Sequence, residues 1–271
     1  MKAKRILFIT SEMAPFVPEN PKSLRGRSLP QAIQEKGHEI RTFSPKWGVI
    51  NERRHQLHEV IRLSGMNLII NDTDHPLIIK VASIQPARMQ IYFIDNDEYF
   101  HKRGILTDEN GEEYTDNGER AIFYARGVLE TVKKLRWVPD IIHCLGWGTS
   151  IVPILIKKAY QDEPSFCDTK VVFSATGPVF SNDLGDEFVK SIQFKNIKMS
   201  DYADITGSPC TFTNLMKLGV RFADGVILDD TKVDKEVAEY AKSLNIPLLK
   251  NQKEDCLADA YNDFYEKIMD L

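Results

Sequence analysis

Residues 5–43 read RILFITSEMAPFVPENPKSLRGRSLPQAIQEKGHEIRTF. Arg5 to Thr10 is an apolar run closed by Ser11 and Glu12, the mark of a strand buried on both faces of a parallel sheet. The proline-rich stretch APFVPENPKS predicts a loop. Ser28 to Lys36 is helix-like and stops at Gly37, a residue that accepts the left-handed conformation at helix ends. His38 to Phe43 reads as a second strand. Together they form a βαβ unit, which implies a right-handed crossover and parallel pairing.

Further along, residues 57–95 change character. LHEVIRLSG, MNLIIND, HPLIIKVASI and RMQIYFID are strand-like and separated by turn residues, which predicts a β-meander inserted into or flanking the sheet. Asp116 and Glu119 have capping-box spacing, and Ala121, Ile122, Ala125, Val128, Leu129, Val132 and Leu135 recur at helical period. They predict a long helix ended by Trp137-Val138-Pro139. A second βα series follows: a strand over Asp140 to Cys144, a helix from about Ser150 to Tyr160, and a strand over Lys170 to Phe173. Residues 178–200 carry no decisive pattern. Thr211 to Leu218 reads as a helix stopped by Gly219, Gly225 to Leu228 as a strand, and Lys232 to Leu244 as a helix. The tail 254–268 is an amphipathic helix, expected to pack back on the domain or to sit at an interface. The reading is one domain over 1–271, of α/β class, with a Rossmann-like, doubly wound, mostly parallel sheet.

The chain has 271 residues, 42% of them hydrophobic and 27% charged, with a net charge of −4. That balance argues against a strongly basic nucleic-acid surface. No apolar run reaches the length of about 18 residues that a membrane span needs, and Ile6 to Ile9 is too short for a signal peptide core. Cys144, Cys167, Cys210 and Cys256 lie far apart, with no C-x-x-C. A reducing cytoplasm is the simplest setting. His55 and His58 stand three apart without a Cys or carboxylate partner, so no metal is expected. No cofactor motif is present either.

In an open parallel sheet, ligands sit outside the carboxyl ends of the strands. The first such loop lacks both G-x-G-x-x-G and the P-loop pattern, and its prolines remove N–H donors. Lys22, Arg25 and Arg27 can attract an anion there, although a solvated basic turn explains them as well. The second loop, Leu145-Gly146-Trp147-Gly148-Thr149-Ser150, offers two glycines and two hydroxyls before a helix. It can hold a small anion while Trp147 stacks on a sugar. Alternatively the glycines make a tight turn and Trp147 fills the core. The third loop offers the hydroxyls of Ser174 and Thr176 without a general base beside them. His143 faces either a ligand or a buried backbone group. Glu12 either meets a sugar hydroxyl or caps a helix. Asp116 and Glu119 are explained as a helix cap, and no catalytic residue is assigned.

RILFITSEMAPFV and LPQAIQEKGHEIR resemble the start of bacterial glycogen synthase and plant starch synthase. The resemblance continues through IYFIDNDEYFHKRGIL, EYTDNGERAIFYARGVLE, WVPDIIHCLGWGTSIVPILIK, VVFSATG and LMKLGVRFADGVILDD, covering most of residues 4–235. It implies the N-terminal lobe of a two-Rossmann, GT-B type glycosyltransferase. That family moves glucose from ADP-glucose to an α-1,4-glucan, with retention and without a metal.

The departures from the family pattern fall at its polar positions. Where the family has a Lys-x-Gly-Gly loop, Pro18, Glu19, Asn20 and Pro21 stand here. Its His-Asp-Trp is replaced by Leu145, Gly146 and Trp147, and its Thr-x-His-Asn by Ser174, Ala175, Thr176 and Gly177. Glu12, His143 and Trp147 remain matched. The family's second lobe, which carries most diphosphate contacts, would begin near the end of this chain. The expectation is a catalytically degenerate relative that binds ADP-glucose or an α-glucan weakly, or that serves a protein partner or homodimer. The alternative is an active glycosyltransferase subunit whose cleft is completed by a partner chain or a second copy.

Overall fold

The computed structural model describes residues 3–207 and 209–270. Its strands are β1 (Arg5–Thr10), β2 (Glu39–Pro45), β3 (His58–Glu59), β4 (Met66–Ile70), β5 (Thr73–Ile84), β6 (Met89–Asp95), β7 (Ile141–Leu145), β8 (Lys170–Ala175), β9 (Gly225–Leu228) and β10 (Leu248–Leu249). The sheet order is β10-β9-β8-β7-β1-β2-β6-β5-β3, and β4 pairs with β5. β1 lies parallel to β2 on one side and to β7 on the other, with Ile6 opposite Ile40 and Ile141. β5 runs antiparallel to β3, β4 and β6. The chain winds outward from β1 in one direction, then returns to β7 and winds outward in the other. The topological switch therefore lies between the carboxyl ends of β1 and β7, where α/β sheets open a ligand crevice.

The helices are α1 (Pro21–Glu35), α2 (Asp97–Phe100), α3 (Asn117–Leu135), α4 (Val152–Ile154), α5 (Gly185–Ser191), α6 (Ala203–Thr206), α7 (Phe212–Arg221), α8 (Lys235–Ser243) and α9 (Glu254–Met269). Side chains alternate across β1. Ile6 and Phe8 pack with Leu29 and Ile33 of α1 and with Leu257, Tyr261, Phe264, Tyr265 and Ile268 of α9. Leu7 and Ile9 belong to the larger cluster on the opposite face, with α3 and α7. Both faces of the parallel strands are thus covered, which accounts for their continuous apolar runs.

The meander at 57–95 is present, but LHEVIRLSG contributes only His58 and Glu59 to it. Ser64 explains the interruption. Its hydroxyl accepts the N–H of Ile79 at 3.0 Å and donates to Val60 O at 3.2 Å, replacing a ladder partner. Helix α1 starts seven residues before the predicted Ser28, because Asn20 caps it and Pro21 occupies its first position. Asp116 heads α3 without capping it. Its carboxylate instead grips the guanidinium of Arg103 at 2.7 and 2.5 Å. Glu119 accepts from Tyr99 and Asn71. The helix expected over 150–160 is a single α turn followed by a π turn over Leu155–Ala159. Helix α7 runs through Gly219 rather than stopping there. A Cβ at that position would lie 2.6 Å from the Phe173 ring, so this glycine serves close helix–strand packing.

The α9 face yields a test. Phe264 is buried against the backbone at Gly225, where a Cβ would come within 3.1 Å of its ring. Phe264→Ala is expected to lower the unfolding free energy by about 3–5 kcal/mol. Urea denaturation measures the change, and a loss below about 1 kcal/mol would exclude α9 from the cooperative core.

Candidate functional site

A small hollow of about 30 Å³ lies at the switch point, walled by Thr10, Ser11, Glu12, Gly26, Gly146, Trp147 and Thr176, among others. It shares Lys22, Arg25, Thr176 and Asp229 with an outer hollow of about 360 Å³ that reaches Asp230, Lys232 and Gln252. Close backbone approach builds the inner wall. Gly26 of α1 leaves no space for a Cβ against the carbonyl of Glu12. Gly146 has φ +88 and sits against Ser11, whose hydroxyl accepts the N–H of Gly148 at 3.0 Å. Trp47 Nε1 donates to Ser11 O at 2.7 Å, and Tyr124 Oη donates to Thr10 O at 2.8 Å. The loops after β1 and β7 are thereby fixed to each other and to the core.

The N-terminus of α1 points toward this region, but its donors are used. Pro21 has no N–H. Asn20 Oδ1 accepts the N–H groups of Lys22 at 2.8 Å and Ser23 at 3.0 Å, and Asn20 O accepts that of Leu24. Ser23 Oγ closes the box by accepting the N–H of Asn20 at 2.9 Å. Asn20 Nδ2 donates to Glu12 Oε2 at 2.7 Å, so Glu12 works as a support for the cap. A helix start that would otherwise attract an anion is internally satisfied.

The charged groups around the hollow are mostly committed too. Arg25 reaches Asp229 at 2.6 Å and Glu254 at 2.9 Å. Tyr261 Oη donates to Asp229, whose carboxyl burial pushes up from the usual range while Arg25 and Tyr261 pull it back. Asp230 accepts the N–H of Lys232 at 2.8 Å. Lys22 is the exception. It is half-buried, lines both hollows, and has no ion pair among the described residues. Burial pulls its ammonium below the usual lysine range, against the attraction of Glu12 and Asp230. Two buried polar atoms also lack partners here: Trp147 Nε1 and Thr176 Oγ1. The segment after Thr176 walls the indole. Phe180 meets Trp147 edge-on at 5.8 Å, and Glu113 accepts the N–H groups of Ser181 at 2.8 Å and Asn182 at 3.0 Å.

The structure therefore brings Glu12, Leu145, Gly146, Trp147 and Thr176 together at one hollow. His143, Gly148, Thr149 and Ser174 stand outside its wall. His143 is fully buried beneath α9, with Nδ1 at 2.6 Å from Tyr265 Oη and Nε2 at 2.8 Å from Ser174 Oγ. Burial, aided by the charge of Arg25, holds its pKa down to about 3, so the ring is neutral. Thr149 turns its hydroxyl to Gly146 O at 2.7 Å. Gly177 packs against Lys232, and Pro18 O accepts from Ser23 Oγ at 3.0 Å. Asp229, Asp230 and Tyr261 were not anticipated. The first two follow the GVIL strand directly, so the rule that ligands meet strand carboxyl ends points to them. Among the described residues no group of three His, Cys, Asp or Glu side chains is placed to hold a metal, and no helix is long and apolar enough to cross a membrane.

Comparison with known proteins places the chain in a family. The family model described as the starch synthase catalytic domain matches residues 5–246. The glycogen synthase of Chlorobaculum tepidum is 38% identical over 238 residues, which cover 87% of this chain and 47% of that protein. The glycogen synthase of Pelodictyon phaeoclathratiforme is 38% identical over 171 residues, covering 63% of this chain and 35% of that protein. This chain thus matches about half, or less, of the length of these relatives. In structure it is similar to the catalytic domain of starch synthase IV from Arabidopsis thaliana bound to ADP and acarbose. The TM-score is 0.73 at 16% identity, over 94% of this chain and 53% of that one.

Two outcomes follow from the site's construction. Asn20→Ala should lower the unfolding free energy by about 0.5–2 kcal/mol through loss of the cap, read by denaturant titration. His143 binds a proton in the unfolded chain near pH 6.5 but in the folded chain only near pH 3. Its contribution is complete above pH 6.5 and declines by about 1.4 kcal/mol per unit as pH falls toward 3. His143→Gln should flatten the stability profile across that window, and an unchanged slope would place the titration elsewhere.

Proposed function

We propose that this chain, which belongs to the starch synthase catalytic domain family, binds a nucleotide sugar or an α-glucan at its switch-point hollow without transferring glucose on its own. One observation carries this reading: every carboxylate at the hollow and every first-turn donor of α1 is already bonded within the protein. Glycosyl transfer needs polar groups aimed at charge that develops in the transition state, and a single strong donor of this kind is worth about 2.7–4 kcal/mol. Side chains that cap a helix or pair with one another cannot supply it without first giving up those bonds. His143, neutral and sealed under α9, has no path to a ligand.

A second reading is favoured by Lys22. An unpaired, half-buried ammonium at the shared rim of the two hollows suits the phosphates of a diphosphate donor. Under that reading the chain is a transferase subunit that works when a partner chain or a second copy completes the cleft.

Calorimetry and thermal shift against ADP-glucose, ADP and maltooligosaccharides test binding, and assays of labelled glucose transfer to glycogen, run on the chain alone and on the chain with any co-purifying protein, separate the two. The expected result is saturable binding with no transfer above the protein-free control. Transfer at an ordinary enzymatic rate, about 1 s⁻¹ or faster, would overturn the first reading. Lys22→Ala should weaken ADP and ADP-glucose about tenfold, equivalent to about 1.4 kcal/mol, and leave maltooligosaccharide binding unchanged.

A further inference from the structure

The protein buries two arginines, and their contrast is informative. Arg120 is fully enclosed and fully bonded: Nε donates to Tyr99 O, Nη1 to Ile105 O and Asn117 Oδ1, and Nη2 to Gly104 O. Arg126, two turns along α3, is 8% exposed. Its Nη1 donates to Ile69 O at 2.5 Å, and its guanidinium lies 3.9 Å from the centre of the Phe194 ring. Nε is buried without a partner, and Nη2 makes no bond among the described residues. No carboxylate pairs with it. Glu130, whose charge acts on it, already binds Lys133 and Tyr160.

This half-bonded guanidinium lines a hollow of about 530 Å³ between β4 and the end of α5. That hollow shares no residue with the switch-point hollow. Its rim carries the exposed amides of Asn67 and Gln193, neither of them bonded within the protein, and the ammonium of Lys190. Lys190 is held only by a solvent-exposed pair with Glu187, which screening makes weak. Asp72 is the one acid on the rim. Ile69 and Phe194 supply the apolar wall.

We infer that the Arg126 hollow is a second binding site, for a small oxyanion such as the phosphate or carboxylate group of a metabolite. Nη2, without a bond among the described residues, can meet one oxygen of an oxyanion, and the buried, unpartnered Nε beside it completes a planar two-donor fork once the site opens to admit the anion. The anion would satisfy the unpartnered donors and compensate a charge that has no acid partner. Lys190, Asn67 and Gln193 would hold its outer oxygens.

The test is thermal unfolding and calorimetry of the whole chain with inorganic phosphate or citrate, against chloride at matched ionic strength. Wild type should be stabilised saturably by one of the two anions. Arg126→Lys, which keeps the charge but loses the fork, should weaken that binding at least tenfold. Lys190→Glu and Gln193→Ala change only exposed side chains, so they keep the test decisive if the arginine variant fails to fold. The charge reversal should weaken binding at least tenfold, and the amide loss should weaken it measurably. Lys22→Ala should leave it unchanged. No saturable effect at 10 mM, on the order of ten thousand times weaker than a micromolar site, overturns the proposal. So does an effect equal in Lys190→Glu and wild type, or one lost in Lys22→Ala. ADP binding is measured separately at the switch-point hollow, so failure at either site leaves the other readout intact.

Discussion

The amide of Asn20 holds the polar architecture of the switch point in place. Its oxygen takes two N–H groups of α1, and its nitrogen takes a carboxylate oxygen of Glu12. Both ends of one short side chain are therefore spent on linking the first loop to the first helix. Pro21 removes the remaining free donor at that helix start. Gly26, five residues on, lets the same helix lie directly on the backbone of that loop. The loop that could have wrapped an anion is a rigid, self-satisfied turn.

The remaining polar groups of the hollow fall into two kinds. Arg25, Asp229, Tyr261 and Glu254 form a network that joins α1, the end of β9 and α9, and hold one another. Lys22 has no ion pair, and Trp147 Nε1 and Thr176 Oγ1 no hydrogen-bond partner, among the described residues. The groups left open at the hollow are thus one cation and two neutral donors.

Much of the fold was legible in the residues. The unbroken apolar runs at Arg5 to Thr10 and Ile141 to Cys144 can only be satisfied between two covered faces, and they sit at the centre of the sheet. Local chemistry limited the rest. The start of α1 was masked because the same Asn-Pro pair that heads a helix also marks a turn. Asp116 and Glu119 had the spacing of a cap, but Arg103, thirteen residues before Asp116, took the carboxylate. The role of His143 depended on α9, more than a hundred residues later, and no local pattern reveals that pairing. Asp229 stood at a strand carboxyl end where the rule for ligands points, but its pairing with Arg25 and Tyr261 joins distant segments and has no local signature.

The strap over Trp147 has a bearing on timing. Phe180 leans on the indole, and Glu113 fastens the two residues that follow through their amide hydrogens. The indole nitrogen is sealed from solvent, so a molecule reaches it only through a local opening of its wall, and neither higher concentration nor long-range attraction hurries its arrival beyond the pace of that opening.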